Sequence, residues 1–376
     1  MGVKTDIINW GRKNCYINDL IFRNYKKSRS LELERIIYDL KNEDTIQQQE
    51  KLSKYRTEIQ NQSLPYWSYD INETNYRMYG IGEAIFGQTK ERKMLYPAIE
   101  HGLILYPKVW TDVRETCRAG VVTFGKFRKE ILEKELDIPV YTVGPYIQYA
   151  ADYYNEKQRK EYKEKLGKNL LVFLSHSTDK ANISFEEKKY LDEVLSLRKQ
   201  YDTINICVFW WNINDKFIDF WKAEGCNIVS AGYREDSLFL PRLKEIILAS
   251  DMVLGDGVGT NIGYCLSLKK PFRLLELKTH VETNEASDEE QKKRLEHEER
   301  IRTAFLTDDY FNPEQKEIFE YYWGGDIYRS KQEREYIADI NKMITRKCRG
   351  NVSRFGKLDY QTIMSEAEKS IWENMI

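Results

Sequence analysis

The chain lacks a charge of one dominant sign. Across 376 residues, 59 lysines and arginines meet 60 aspartates and glutamates, for a formal net charge of −1. With both signs interspersed, no global field favours nucleic acid, and the charges read as a solvated surface. No apolar run approaches the roughly 18 residues of a membrane span. The opening MGVKTDIINWGRKN has no continuous apolar segment of the kind a secretion signal needs. The six cysteines, Cys15, Cys117, Cys207, Cys226, Cys265 and Cys348, are scattered without a CxxC pair or zinc spacing. They are expected as reduced thiols in a cytoplasmic setting. There is no P-loop, HExxH or GxSxG, and no carboxylate pair placed for a metal, so no metal site is expected. Histidine is scarce, with four residues.

What the chain does contain is length for two domains of about 150 to 200 residues, each with its own core. Aromatics are frequent, with 26 tyrosines and 8 tryptophans. Such rings stack on sugars, although most must fill cores and surfaces. Residues 1–62 read as a charged helical segment, and SLPYWSYDINETNYRMYGIGEAIFG after it as an irregular aromatic loop leading into a helix. From Met94 the grammar becomes α/β: MLYPAIEHGLIL, then VWTDVRETCRAG, the apolar GVVTFG, the helical KFRKEILEKEL and the short IPVYTVG. Strand, helix and strand joined by tight glycine connections predict a doubly wound parallel sheet over 63–150. A charged helical stretch at 151–168 reads as the connection to a second domain, 169–350.

In the second domain, apolar runs at 170–174, 204–209, 227–229, 252–254 and 272–275 alternate with helical patterns at 186–200, 215–224, 237–248 and 261–269. Five strands alternating with helices predict a Rossmann-like domain. Ligands in such sheets bind at the carboxyl ends of strands, which sets Ser175, His176, Ser177 and Thr178, then Trp210 to Asn212, then Gly232, Tyr233 and Arg234, then Gly255 to Thr260 on one rim. The run THVETNEASDEEQKKRLEHEERIR reads as a solvated helix or insertion and not as a site. A final amphipathic helix, 351–376, is expected to pack back over the domains.

The chain reads as organised around IILASDMVLGDGVGTNIGYCLSLKKPF, residues 246–272. A short strand breaks at Gly255-Asp256-Gly257-Val258-Gly259-Thr260, and helical spacing resumes at Ile262. A helix start presents unpaired N–H groups and the positive end of the macrodipole, which favours an anion such as phosphate. Gly257 and Gly259 let the backbone approach that anion, and Thr260 or Asn261 is a natural N-cap. An ordinary βα turn is the plain alternative. His176 with its neighbouring hydroxyls is a phosphate-oxygen or base candidate, or a loop-capping histidine. His101 stands in the same two ways, while His280 and His297 sit in polar surface sequence. Glu83 and Glu100 are candidate acid/base carboxylates. Arg234 is either a bidentate diphosphate ligand or a surface partner of Glu235 or Asp236. Arg128 is expected to solvate a helix.

EHG at 100–102, GVVTFGKFRKEIL, PVYTVGPY, LLVFLSHST, ASDMVLGD and DGVGTNIGYCLSLKKPF together resemble the two-Rossmann-domain glycosyltransferases of GT-B architecture that build bacterial capsule, O-antigen and teichoic-acid-like polymers. The last segment is similar to that family's G-G-T-x-x-E-A turn followed by G-K-P. It departs in carrying Gly263-Tyr264 where a ribose-binding acid often stands, and Lys269-Lys270 before Pro271.

The resemblance implies two Rossmann-like domains facing a cleft, flanked by additional N- and C-terminal helices. It also implies a nucleotide-sugar donor on the second domain, held by Ser175, His176, Ser177, Thr178, Tyr233, Arg234, Asp256, Gly257, Gly259, Thr260 and Asn261. A glycan or lipid-linked acceptor falls to the first, 63–150. His101 and Glu100 become the catalytic residues, with His101 as base if the reaction inverts. No cofactor, metal or nucleic acid is implied, and peripheral contact with the inner membrane is allowed. A UDP-N-acetylglucosamine 2-epimerase, a TIR- or nucleoside-deoxyribosyltransferase-like nucleotide-cleaving module and a scaffold with a decayed site stay open as alternatives.

Overall fold

The computed structural model describes residues 10–20, 35–40, 50–61, 76–88, 91–110, 113, 117–175, 182–277, 279–282 and 286–358. The final helix expected over 351–376 therefore lies for the most part outside the described residues.

Along the chain the strands are β1 (Ala98–Ile99), β2 (Val121–Thr123), β3 (Val140–Thr142), β4 (Asn169–Phe173), β5 (Asn182–Phe185), β6 (Thr203–Cys207), β7 (Asn227–Val229), β8 (Met252–Gly255), β9 (Phe272–Leu274) and β10 (Thr279–Glu282). The helices are α1 (Glu50–Asn61), α2 (Ile81–Phe86), α3 (Lys126–Glu135), α4 (Glu156–Leu166), α5 (Glu187–Ser196), α6 (Lys216–Ala223), α7 (Phe239–Leu248), α8 (Thr260–Ser267), α9 (Asp288–Phe305), α10 (Pro313–Ile318) and α11 (Lys331–Lys347). They form two compact units. The first takes its described residues from Met1–Glu34, Pro65–Tyr146 and Glu320–Ile376, the second from Arg35–Leu64 and Ile147–Phe319.

The second unit holds a five-stranded, all-parallel sheet of order β7-β6-β4-β8-β9. Its central strands are buried on both faces; β4 and β8 accordingly carry continuous apolar runs, while β6 interleaves Thr203 and Asn205 with Ile204, Ile206 and Cys207. Leu170, Val172, Ile204, Ile206 and Leu254 form one core with Tyr190, Val194 and Trp221 from the helices. A fully buried side chain of this size contributes about 1.5 to 3 kcal/mol. The strand order reverses between β4 and β8, the switch point at whose carboxyl edge such sheets bind ligands. The strands and helices expected here from periodicity appear within a few residues of their predicted ends. One element was not foreseen: β10 pairs antiparallel with β5, Thr279 opposite Phe185, as a two-stranded ribbon.

The first unit carries a three-stranded parallel sheet, β1-β2-β3, with Val121 and Val140 at its heart and Leu132 of α3 packed on it. Its strands are shorter than the apolar runs implied. The later chain returns to this unit. α11 is amphipathic and buries Ile340 and Ile344 against Met94, Cys117 and Ala119, so residues 331–347 join the first sheet, not the second domain to which 169–350 was assigned. In the opposite sense α1, read as part of an N-terminal segment, docks on the second unit, where Arg56 donates to the Trp211 carbonyl at 2.9 Å and stacks over its ring.

Both α4, in the expected connection, and α9 begin with a full capping box, Asn155 with Gln158 and Ser287 with Glu290. All six cysteines are buried and none is in a disulfide. No helix among the described residues is long and apolar enough to cross a membrane.

Candidate functional site

β8 ends at Gly255, and the chain turns through Asp256-Gly257-Val258-Gly259 into α8. The cap position of α8 belongs to Gly259, in extended backbone and with no side-chain cap bond; Thr260 and Asn261, expected there, are the first two helical residues. With glycine at the cap, no cap side chain accepts from the first N–H groups, and these face the switch point with the helix dipole behind them. Residues 257–261 are partly exposed, in contrast to the buried strand before them and the buried Ile262 to Leu266 after them.

Across the switch point, Ser175 follows the carboxyl end of β4. Its N–H and its hydroxyl both donate to the Asp256 carboxylate, at 2.9 Å each to one oxygen. Asp256 is 2% exposed, so its carboxylate turns inward and ties the two loops together, leaving the glycines outermost. Burial pushes this carboxyl up to about 6, against the opposing pull of the Ser175 hydrogen bonds and of the Arg302 guanidinium. A Cβ on Gly257 would meet Ser175 Oγ at 2.9 Å, which puts that hydroxyl directly against the turn.

Arg302, from the densely charged run read as a solvated helix, comes to the same place: its Nη2 lies 3.5 Å from the Asp256 carbonyl. No sequence signal singled it out, since α9 is laced with ordinary i,i+4 pairs.

Of the other rim residues, His176, Ser177 and Thr178 lie outside the described residues. Tyr233 and Arg234 follow β7 at the same carboxyl edge, yet both are buried. Tyr233 packs edge-on against Trp210 at 4.8 Å. Arg234 is not the surface residue of an exposed ion pair, and Asp236 instead takes Arg242 at 2.6 Å in a fully buried bridge. Tyr233 and Arg234 are thus interior residues at this edge of the sheet.

In the first unit, Glu100 and His101 follow β1 at its carboxyl end. His101 is partly exposed. Glu100, offered by the sequence as a catalytic carboxylate, is enclosed: Arg128 Nη2 and Nε donate to it at 2.6 and 3.1 Å, and Thr123 Oγ1 at 2.8 Å. Both oxygens are taken within a site that excludes water, which corrects the acid/base reading of Glu100. It also corrects that of Arg128, which is fully buried and does not solvate a helix. Arg128 additionally donates to the carbonyls of Tyr106 and Lys108, and the Tyr146 hydroxyl donates to the Glu100 carbonyl, so the pair fixes the backbone beneath His101. Glu83, on α2, is partly exposed and lies away from this pair in sequence. His297 lies on α9, its imidazole pushed down by burial, and His280 falls in β10. Among the described residues no group of three or more histidine, cysteine or acidic side chains is placed to hold a metal.

No protein-family model and no curated protein matches the chain. Solved structures similar to it include UDP-GlcNAc 2-epimerase from Neisseria meningitidis bound to UDP-GlcNAc, at 15% identity and a TM-score of 0.32, over 64% of this chain and 64% of that one. A variant of the wall teichoic acid polymerase TagF is similar at 13% identity and a TM-score of 0.39, over 92% of this chain and 99% of that one. UGT71G1 of Medicago truncatula, complexed with UDP-glucose, is similar at 12% identity and a TM-score of 0.26, over 69% of this chain and 55% of that one. The chain thus spans less than two thirds of the epimerase and of the plant enzyme. With every TM-score below 0.5, the architecture rests on the chain's own strands: two α/β units, each built on a parallel sheet.

Proposed function

We propose that the chain is a glycosyltransferase that moves a sugar from a nucleotide-sugar donor to a glycan or lipid-linked acceptor in bacterial surface polysaccharide synthesis, without a metal ion. The observation that carries this reading is the β8–α8 turn. At the reversal of a doubly wound sheet it offers exposed glycine backbone, a helix N-terminus capped by no side chain and the Ser175 hydroxyl, held from behind by Asp256. Such a turn neutralises a diphosphate with fixed dipoles, and it does so most strongly as charge builds on the leaving group. In this reading Thr260, Asn261 and the Gly257 and Gly259 backbone contact the donor phosphates. Tyr233 and Arg234 support the rim, and His176, Ser177 and Thr178 are assigned to donor binding. His101 takes the acceptor proton if the sugar inverts; Glu100 and Arg128 position His101 and exchange no proton.

A thermal-shift panel of UDP-, GDP-, CMP- and dTDP-sugars tests the donor assignment. One member should raise the melting temperature, because a ligand that binds only the folded state stabilises it; silence across the panel would count decisively against it. His101→Ala should lower turnover by about 10² to 10⁴ with donor affinity nearly intact, and retained turnover removes His101 as base. Conversion of UDP-N-acetylglucosamine to its 2-epimer without any acceptor would replace transfer with epimerisation at the same turn.

A further inference from the structure

We propose that Arg302, near the carboxyl end of α9, is an anion-binding residue of the glycine turn, and that the group it takes is a phosphate or diphosphate. The proposal deepens the donor reading above and rests on it for the choice of ligand.

Three observations carry it. The Arg302 side chain is only 14% exposed, and its Nη1 is buried without a hydrogen-bond partner among the described residues. Its remaining contacts are loose: Nη2 lies 3.5 Å from the Asp256 carbonyl and 3.6 Å from Glu298, a carboxylate that also serves Arg294. A guanidinium donor removed from water and left unmade is costly, so an arrangement of this kind is stable when an acceptor arrives from outside. The surroundings define that acceptor. Asp256 is the residue before Gly257, and the turn beside the guanidinium presents glycine backbone and the N-terminus of the eight-residue α8. Two guanidinium nitrogens in a fixed plane match two oxygens of one phosphate, a match that the point charge of lysine does not reproduce.

The arrangement also balances charge. The buried Asp256 carboxyl is needed to hold Ser175 in place, yet an ionised carboxylate next to a bound phosphate opposes binding. Arg302 is the cation that already interacts with Asp256. It offsets that carboxylate and leaves the dipole of α8 free to act on the ligand. Arg302 comes from 46 residues further along the chain than Asp256, so the site is assembled across two connections of the sheet.

Calorimetric titration of the full chain with inorganic pyrophosphate and with the nucleotide-sugar panel tests the proposal. Arg302→Gln should weaken pyrophosphate and donor binding about ten-fold or more, the loss expected for a charge-assisted hydrogen bond, with cooperative ligand-free melting showing that the variant is folded. Arg302→Lys, which keeps the charge and guards against a misfolded glutamine variant, should fall between the two. Glu298→Gln, which releases the guanidinium from a competing carboxylate, should bind at least as tightly as the parent. Equal affinity in Arg302→Gln and the parent overturns the proposal and leaves the donor reading standing. Pyrophosphate binding that depends on Arg302, with no nucleotide sugar bound, sustains the proposal and removes the donor reading. A parent chain that binds neither overturns both.

Discussion

Each unit of the molecule contains a strand, a glycine turn and a helix, and the two turns have opposite fates. In the first unit β2 runs through Phe124-Gly125 into α3, the same grammar as β8 through Gly257 and Gly259 into α8. There, however, the turn is filled by the chain itself. A Cβ on Gly125 would stand 2.5 Å from the backbone nitrogen of Gly324, which comes in from the later chain with φ of +65°. In the second unit the corresponding space at Gly257 meets only the Ser175 hydroxyl, the end of a side chain. A glycine turn is thus a backbone that something approaches closely: in the first unit the backbone of its own later chain, in the second a serine side chain. The local sequence of the two turns does not tell them apart, and the segment that returns to each does.

The comparison can be broken or sharpened experimentally. The largest effect is expected beside the filled turn: Arg128→Met leaves Glu100 as an unpaired buried charge and should cost about 3 to 5 kcal/mol. The urea midpoint measures this, and the double change with Glu100→Gln should recover much of the loss. Gly125→Ala comes next, at about 2 to 3 kcal/mol of overpacking against backbone that has nowhere to go; a stability within experimental error of the parent would show that the Gly324 contact is slack.

Gly257→Ala is the matched change in the open turn. It should cost under about 1 kcal/mol of stability, since a Ser175 hydroxyl can rotate away, while donor affinity drops about ten-fold as the backbone loses its approach to the anion. If Gly257→Ala destabilises as much as Gly125→Ala, the distinction between the turns fails.

The smallest effect is in pH. The folded carboxyl of Asp256 stands near 6, above its ordinary 3.8, so the ionised form is the disfavoured one. Its stability contribution therefore grows as pH falls through 6 and is complete below 3.8, with the sign opposite to that of an ion-paired aspartate. Binding of a nucleotide sugar, whose phosphates do not titrate in this range, should tighten a few-fold between pH 7.5 and 5.5 as Asp256 becomes neutral. Asp256→Asn should flatten that profile in titrations run across the range. Arg302 and Tyr190, which both interact with Asp256, do not change charge in this window.

Much of the second unit was legible in the sequence because its signals are local. Strands buried on both faces are apolar runs, the helices between them repeat at three to four residues, and glycine marks the turn. The first unit was less legible, since two- and three-residue strands carry too few residues for a pattern. Glu100 and Arg128 were misread for a related reason. A carboxylate beside a histidine looks the same in sequence whether it faces water or a guanidinium 28 residues away. Arg302 was hidden by its neighbours, because in a helix full of i,i+4 ion pairs one more arginine carries no distinguishing mark.

The sequence by itself determined that the chain is α/β, that its second half is a doubly wound parallel sheet, and that a glycine turn into a helix follows the strand at 252–255. Those features depend on residue spacing and on the conformational freedom of glycine, both of which act over a few residues. Only the tertiary structure decided which glycine turn is filled and which is open, that Asp256 faces inward to Ser175, and that Arg302 stands beside them. Each of those is a meeting of segments far apart in the chain, set by which faces must be buried together, and no local pattern encodes it.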